Sequence, residues 1–311
     1  MSTQSFSSFE AFFDANRHAN LRAMVLGPDR GNWVLTNLTV DKLSVQFGQA
    51  GGNAVVEGSP QPGGVSIFVL TQGLSAMSGN GRRFDDHTFL VAHPGDDFCL
   101  AADSWRRWCS LYIPNEELAG ANQDAPDAAV GSMRGVFQLP PHRMERFRSV
   151  LQQLDEAVQQ APDAFRSAAA QKAARHRLLP EIRTVLAVPL EVEPTFGRHV
   201  VPRSQIIRTS MDFVDQHGGQ YLSVEQLAAA AGVSERTLRD AFQQYFGVAP
   251  VRYLNRRTLN QVRKALKIAD PSVNTVTEIA MQFGLWELGR FARDYCALFG
   301  EVPSETLRKR R

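Results

Sequence analysis

The feature that most constrains this chain is an internal repeat near its C-terminal end. One copy, LAAAAGVSERTLRDAFQQYFGVAP, begins at Leu227, and the other, IAMQFGLWELGRFARDYCALFGEVP, begins at Ile279. Gly232 and Gly284 lie 52 positions apart, whereas the closing Phe-Gly pairs lie 53 apart, so the second copy has one extra residue after its turn. A glycine between two short periodic segments, occurring twice, predicts a helix, a tight turn and a second helix in each copy.

The first unit spans about residues 223–246. Ser223 and Ser234 stand where helix N-caps belong, and Gly232 stands where a left-handed residue ends the first helix. Apolar residues recur every four positions in the second helix, which predicts that they pack inward: Leu238, Phe242 and Phe246. The polar side chains of that helix are therefore left on the outside.

The second unit spans about residues 275–299. Asn274 or Thr275 caps its first helix, and Gly284 forms its turn. Its second helix is predicted from about Glu287 to Phe299, with three aromatic residues facing inward: Phe291, Tyr295 and Phe299.

Charge sets this part of the chain apart from the rest. Residues 203–311 contain 16 Lys+Arg and 11 Asp+Glu, a net of +5, whereas residues 1–202 contain 18 and 21, a net of −3. A basic domain on a slightly acidic body favours a polyanionic partner, although a solvated basic surface is an alternative. A helix of about 17 residues from Pro250, roughly 25 Å long, would hold the two units near the spacing of successive DNA major grooves.

Over about residues 205–308 the chain resembles the DNA-binding domain of the AraC/XylS family of bacterial transcription regulators. In the first unit the similarity lies at Leu227-Ala228, Gly232-Val233-Ser234, Leu238, Phe242, Phe246-Gly247, Pro250 and Tyr253-Leu254. In the second it lies at Thr277-Glu278-Ile279-Ala280, Gly284, Phe291, Tyr295, Phe299-Gly300 and Pro303. The run LGRFARDY, followed by FGEVPSETLR, is especially similar to the XylS-like branch, while Leu285 replaces the family's usual Phe.

The resemblance implies a sequence-specific transcriptional regulator, an activator, that binds double-stranded promoter DNA and works with RNA polymerase. The residues expected to contact DNA are Ser234, Arg236, Thr237, Arg239, Asp240, Glu287, Gly289, Arg290 and Arg293. Arg236 and Arg239 lie three positions apart on one helix face and can reach guanine edges. Arg290 and Arg293 are interpreted as the equivalent pair in the second helix. Contact with phosphates alone is the alternative. Because Leu288 and Gly289 donate no side-chain hydrogen bonds, the first helix is expected to contribute more base specificity.

In the first half of the chain, from about residue 32 to 115, the sequence pattern predicts β-strands. Strands are predicted at 65–72, 87–92, 96–102 and 107–114, and AGGN at 50–53 predicts a hairpin turn. Periodic segments predict helices at about 142–187. The fold class is therefore α+β: a small N-terminal β barrel or jelly roll with flanking helices, cupin-like by the resemblance, and an all-α C-terminal domain with two helix-turn-helix units.

This pattern divides the chain into three parts. Residues 1–187 are expected to form a sensor and dimerisation domain, residues 188–202 a linker rich in proline, and residues 203–311 the DNA-binding domain. The resemblance implies a small-molecule effector, and a homodimer is expected through the N-terminal domain. The helices at 142–187 either contribute to that dimer or pack against their own sheet.

An enzymatic site is not expected. A metal-binding cupin needs a His-x-His run, and the β region contains only His87 and His93, so no metal and no cofactor are expected. The alternatives are a metal-dependent cupin enzyme fused to a DNA-binding tail, and a ligand-independent regulator whose barrel is filled by its own side chains. Three scattered cysteines and an N-terminus without a signal-peptide pattern predict a cytoplasmic protein with no membrane partner.

Overall fold

The structure is a computed structural model, and it describes residues 1–28, 33–74, 76–119, 134–187, 202–217 and 222–309. The predicted linker therefore lies outside the described residues except for Pro202. The predicted strands at 65–72, 87–92, 96–102 and 107–114 are confirmed to within two residues at each end.

The described strands form two antiparallel sheets. The larger sheet has the order β1 (Ser2–Phe6), β3 (Trp33–Val40), β4 (Leu43–Ala50), β11 (Arg106–Pro114), β6 (Gly64–Gln72), β9 (Thr88–Ala92) and β12 (Gly135–Gln138). The smaller sheet has the order β2 (Ala19–Val25), β5 (Ala54–Pro60), β10 (Phe98–Ala102), β7 (Met77–Gly79) and β8 (Arg82–Arg83). Apolar side chains from both sheets form one core between them, among them Trp33, Leu35, Val56, Leu100 and Trp108.

The predicted hairpin at 50–53 is wrong. Strand β4 pairs with β3 and β11, whereas β5 pairs with β2 and β10, so this segment carries the chain from one sheet to the other. Gly52 at its corner has φ +80°, a conformation that glycine adopts without steric cost. A glycine-rich corner between sheets has the same local sequence as a hairpin turn, and only strand pairing distinguishes them.

The helices follow the sheets in chain order, apart from one near the N-terminus. They are α1 (Phe9–Asp14), α2 (Asn115–Ala119), α3 (Pro141–Gln160), α4 (Ala168–Leu186), α5 (Arg203–Gln216), α6 (Val224–Ala230), α7 (Glu235–Phe246), α8 (Pro250–Ile268), α9 (Val276–Gln282), α10 (Leu288–Phe299) and α11 (Pro303–Arg308). A 3-10 turn, Pro162–Arg166, separates α3 from α4.

Helices α3 and α4 pack against the outer face of the larger sheet. Phe147 and Leu151 of α3 and Ile182 of α4 share one buried cluster with Ile67 and Leu111 of the sheet. The larger sheet is therefore apolar on both faces, which explains why its strands show weak alternation. Of the two roles that the sequence left open for these helices, packing on their own sheet is the one observed.

The C-terminal helices pack against the outer face of the smaller sheet. Val55 and Ala101 of that sheet share a buried cluster with Ile207 and Tyr245. Polar contacts add to this packing, because the Asn260 side chain accepts a hydrogen bond from the Val25 amide (3.2 Å) and donates one to its carbonyl (3.0 Å). Each sheet is thus covered by helices on its outer face.

Candidate nucleic-acid interface

Each helix-turn-helix unit is built by local capping. In the first, Ser223 and Gln226 form a capping box at the start of α6, Gly232 turns the chain with φ +66°, and Ser234 accepts a hydrogen bond from the Thr237 amide at 3.2 Å. These caps satisfy amides that the first turn of a helix leaves unpaired. The cap and turn predicted from the sequence are confirmed here.

The second unit repeats this design with one difference. Thr275 and Glu278 form a capping box for α9, and Gly284 turns the chain with φ +74°. Glu287 occupies the N-cap position of α10, but its side chain makes no capping hydrogen bond. Both second helices bury their aromatic residues as predicted, although Phe299 is only half-buried, with the Arg263 guanidinium 4.4 Å from its ring centre.

The outer face of α7 is exposed over its first turns, and farther along its Gln243 lines a cavity with Arg82 and Arg83 of the β domain. Arg236 and Arg239 are exposed, whereas Tyr245 lies on the opposite side, against Gly81 of the β domain. The neighbouring Gln244 donates a hydrogen bond to the Gly81 carbonyl at 2.9 Å. Docking of the two domains therefore leaves Arg236 and Arg239 open to a partner.

Ion pairs within the helices hold two of the predicted contact arginines. Arg239 Nη2 lies 2.7 Å from Glu235 Oε2, and Arg290 lies 3.8 Å from both Glu287 and Asp294. These pairs are exposed, and such pairs contribute about 0.2–1 kcal/mol. An arginine can therefore leave its pair for a DNA phosphate or base at small cost.

The remaining predicted residues also lie near the start of α7 or α10. Arg236 and Arg293 are exposed and form no ion pair within the described part of the chain, and Asp240 is exposed. Ser234 and Thr237 are bonded to each other, with their hydroxyl oxygens 2.9 Å apart. Both side chains stabilise the start of α7, so contact with a ligand would require them to change these hydrogen bonds.

The helix bounds correct the proposed equivalence of the two arginine pairs. Helices α7 and α10 each have 12 residues and begin at Glu235 and Leu288, an offset of 53. At that offset Gly289 corresponds to Arg236 and Ala292 to Arg239. Arg290 and Arg293 each lie one residue after these equivalent positions. One residue corresponds to a rotation of about 100° around the helix axis, so the two arginine pairs lie on different faces of their helices.

The corresponding faces of the two helices differ strongly in side-chain size. In α7 the face consists of Arg236, Arg239 and Gln243, and in α10 it consists of Gly289, Ala292 and Cys296. A methyl group added at Gly289 would meet nothing within 4 Å. Because the side chains on this face of α10 are small, the helix backbone can approach a partner closely.

Trp286 is a surface residue that the sequence reasoning missed. It lies in the turn before α10, and 71% of its area is exposed. The available signal was the extra residue in the second turn, since four positions separate Gly284 from Leu288 but three separate Gly232 from Glu235. An exposed indole beside an arginine-bearing helix offers a flat apolar surface to a sugar or a thymine methyl group.

The connecting helix α8 uses several of its cations inside the molecule. It has 19 residues, about 28 Å at 1.5 Å per residue. Arg263 pairs with Glu10 at 2.9 Å and Glu301 at 3.2 Å, Lys267 pairs with Glu10 at 3.1 Å, and Arg257 pairs with Asp215. Part of the +5 charge is therefore neutralised within the fold.

The described ranges contain neither a metal-binding cluster nor a helix that could span a membrane. No three His, Cys, Asp or Glu side chains in the described ranges are arranged to hold a metal ion, and the histidines at 87 and 93 do not form such a group. No helix among these residues has the length and apolar character needed to span a lipid bilayer.

Comparison with known proteins matches the same part of the chain. Residues 227–309 match the family model described as a helix-turn-helix domain. The chain is 43% identical over 103 residues to the probable thc operon regulatory protein of Rhodococcus erythropolis, and 37% identical over 99 residues to the XylDLEGF operon transcriptional activator of Pseudomonas putida. These matches cover 33% and 32% of this chain, and the chain spans only 31% of the length of each of these relatives.

A longer and weaker match reaches into the N-terminal half. The HTH-type transcriptional activator RhaS of Klebsiella pneumoniae (strain 342) is 28% identical over 249 residues, which cover 77% of this chain and 83% of that protein. The paired capped units and the relatives matched over them agree with the resemblance drawn from the sequence. The C-terminal domain of this chain is a helix-turn-helix domain, similar in sequence to the matched part of AraC/XylS-type transcriptional activators.

Proposed function

We propose that the whole chain is a sequence-specific DNA-binding transcriptional regulator, and an activator. The observation that carries this proposal is the pair of capped helix-turn-helix units, whose outer faces stay exposed while the domain is docked on the β sheets. The names of two matched relatives, the XylDLEGF operon transcriptional activator and RhaS, support activation. The partners would be promoter DNA and RNA polymerase, in the cytoplasm.

Within this proposal the two units have different tasks. The arginines of α7 can donate to base edges, so the first unit would supply most base specificity. The small face of α10 lets its backbone approach the DNA, while Arg290 and Arg293, turned around the helix, are placed for phosphates. The nine predicted contact residues remain proposals on this basis.

The salt dependence of binding tests the phosphate contacts. For the full chain, the logarithm of affinity should fall linearly with the logarithm of salt concentration, by about 0.9 per phosphate contacted. We expect Arg293→Ala to make this slope shallower by about 0.9. Arg166→Ala, which removes an exposed cation in the 3-10 turn of the N-terminal domain, should leave the slope unchanged. Equal slopes for wild type and Arg293→Ala would contradict the phosphate role.

Close approach of the α10 backbone can be tested at Gly289. Because a methyl group there meets nothing and alanine favours a helix, Gly289→Ala should raise the free energy of unfolding by about 0.5–1 kcal/mol. The same methyl group should hold the helix away from DNA and lower the affinity. Thermal unfolding and DNA binding of the same preparation measure both effects. Unchanged affinity in the more stable variant would contradict close approach.

The N-terminal part, residues 1–187, is proposed as the sensor and dimerisation domain, joined through 188–202 to residues 203–311. Its core between two sheets supports a role in holding a small effector. The apolar faces of α3 and α4 are covered by their own sheet, so they no longer support a dimer contact. The homodimer stays a prediction, and light scattering of the full chain measures it.

A further inference from the structure

The hairpin formed by β7 and β8 lies against the last turns of α7. Asn80 and Gly81 form its turn with φ +48° and +78°, as a two-residue Asn-Gly loop between strands favours. Gln244 of α7 donates a hydrogen bond to the Gly81 carbonyl at 2.9 Å. A methyl group added at Gly81 would lie 2.7 Å from a ring carbon of Tyr245. The two residues of β8, which follow the turn, are therefore held beside this helix.

The strand register places the side chain of Arg83 on the side of the C-terminal domain. Arg83 lies opposite Ser78, and Ser78 lies opposite Ala101 of β10. Ala101 belongs to the buried cluster that joins the smaller sheet to the C-terminal helices. Because successive residues of a strand alternate between its two faces, Arg82 points the other way. Its Nη1 donates a hydrogen bond to the Val136 carbonyl of the larger sheet at 3.0 Å.

A polar cavity of about 460 Å³ lies between this hairpin and the end of α7. Both arginines of β8 and Gln243 of α7 line it, and none of its lining residues in the described ranges is acidic. Gln243 lies one turn beyond Arg239 and two turns beyond Arg236, on the same face of α7. The cavity therefore adjoins the helix face that is proposed to meet DNA.

Arg83 is available to an external anion. Its side chain is 60% exposed, and among the described residues it pairs with Asp103, itself 47% exposed, at 2.8 Å. Exposed pairs of this kind are weak and are screened by salt. The carboxylate of Asp85, two positions along the chain, instead accepts hydrogen bonds from Thr88 and Gln138. A phosphate oxygen can therefore replace Asp103 as the partner of Arg83.

The hairpin flanks α7 where the border of a DNA groove would lie. An α-helix is about 10–12 Å across and fills a major groove about 12 Å wide, so a segment that flanks such a helix meets the phosphates at the edge of the groove. We propose that Arg83 of the N-terminal domain contacts a DNA phosphate beside the groove that α7 enters. The proposal rests on the DNA binding proposed above and extends that interface to the β domain.

The salt dependence of DNA binding by the full chain tests this contact. Arg83→Ala should make the slope of log affinity against log salt concentration shallower by about 0.9, the value for one phosphate. It should also weaken binding to all DNA sequences alike, because a phosphate contact carries no base preference. Arg83→Lys keeps the positive charge and should keep most of the slope. An unchanged slope in Arg83→Ala would overturn the proposal.

Arg82→Ala is the matched control, because it removes the same charge from the adjacent residue, which is bonded to the larger sheet. It should leave the slope near the wild-type value, and equal shallowing in the two alanine variants would overturn a contact made by Arg83. Both side chains are exposed, so both variants should fold, and thermal unfolding verifies this.

Asp103→Asn tests the same contact from the opposite direction. This change releases Arg83 from its ion pair and removes a nearby negative charge, so it should raise DNA affinity. Affinity equal to or below that of the wild type would contradict the proposal. A wild-type chain that prefers no DNA sequence would refute the regulator function itself. A normal sequence preference together with an unchanged slope in Arg83→Ala would refute only this contact.

Discussion

Replacing Arg239 with alanine is expected to weaken binding to the preferred DNA site by about 1–3 kcal/mol and to relax the preference at one or two base pairs. The side chain is exposed on the face of α7 that points away from the β domain, and its only ion pair described is the surface pair with Glu235. A guanidinium in that place can donate two parallel hydrogen bonds to guanine. Losing a base contact changes the ranking of sites, whereas losing a phosphate contact weakens all sites alike.

The measurement is binding of the full chain to a library of single-base variants of its preferred site. Glu235→Ala provides a matched control, because it frees Arg239 from its 2.7 Å ion pair and removes a negative charge from the exposed start of α7. That variant should bind at least as tightly as the wild type with the ranking of sites kept. An unchanged ranking in Arg239→Ala would refute base contact.

Replacing Gly48 with alanine is expected to destabilise the fold by about 1–3 kcal/mol, the usual cost of overpacking a core. Gly48 is the cross-strand partner of Trp108, and a methyl group there would lie 2.1 Å from two carbon atoms of the indole ring. The ring is buried between the sheets and packs at a tilt of 34° against Phe68, with ring centres 5.6 Å apart. It cannot move without disturbing its neighbours.

Chemical or thermal unfolding of the full chain measures this effect. Gly289→Ala is the matched control, since it makes the same change at a position with open space. The Gly48 variant should unfold more easily than the wild type and the Gly289 variant less easily. Equal stability of Gly48→Ala and wild type would mean that the Trp108 ring has room that the structure does not show.

Much of the C-terminal domain could be predicted because its signals are local. A capping serine bonds an amide three residues away, a turn glycine adopts its own φ, and inward residues recur every four positions. The repeat shows the same capping, turn and periodicity signals a second time, which strengthens the prediction. The arginine pairs of the two recognition helices were nevertheless matched wrongly: the inward residues and the helix starts stand 53 positions apart, whereas Arg290 and Arg293 stand 54 positions after Arg236 and Arg239.

The N-terminal domain was predicted less completely because its strands depend on distant partners. Strand β1 is polar and exposed over most of its length, and it is held by pairing with β3 and by contact of Phe6 with Phe12, so its own residues gave no periodic signal. The segment 50–53 looked like a hairpin turn until the pairing of β4 and β5 with other strands showed a crossing between sheets.

The sequence by itself determined two capped helix-turn-helix units, the helix between them and a β-rich N-terminal half. Only the tertiary structure decided which charged side chains are exposed, which form ion pairs and which are buried. Arg263 and Lys267 belong to a basic helix in the sequence, yet they pair with Glu10 more than 250 residues away along the chain. Arg106 belongs to an ordinary strand, yet it lies buried and donates hydrogen bonds to the carbonyl oxygens of Gly52 and Ser104. Helical caps act between near neighbours, whereas the environment of a charge is set by whichever segments the fold brings around it.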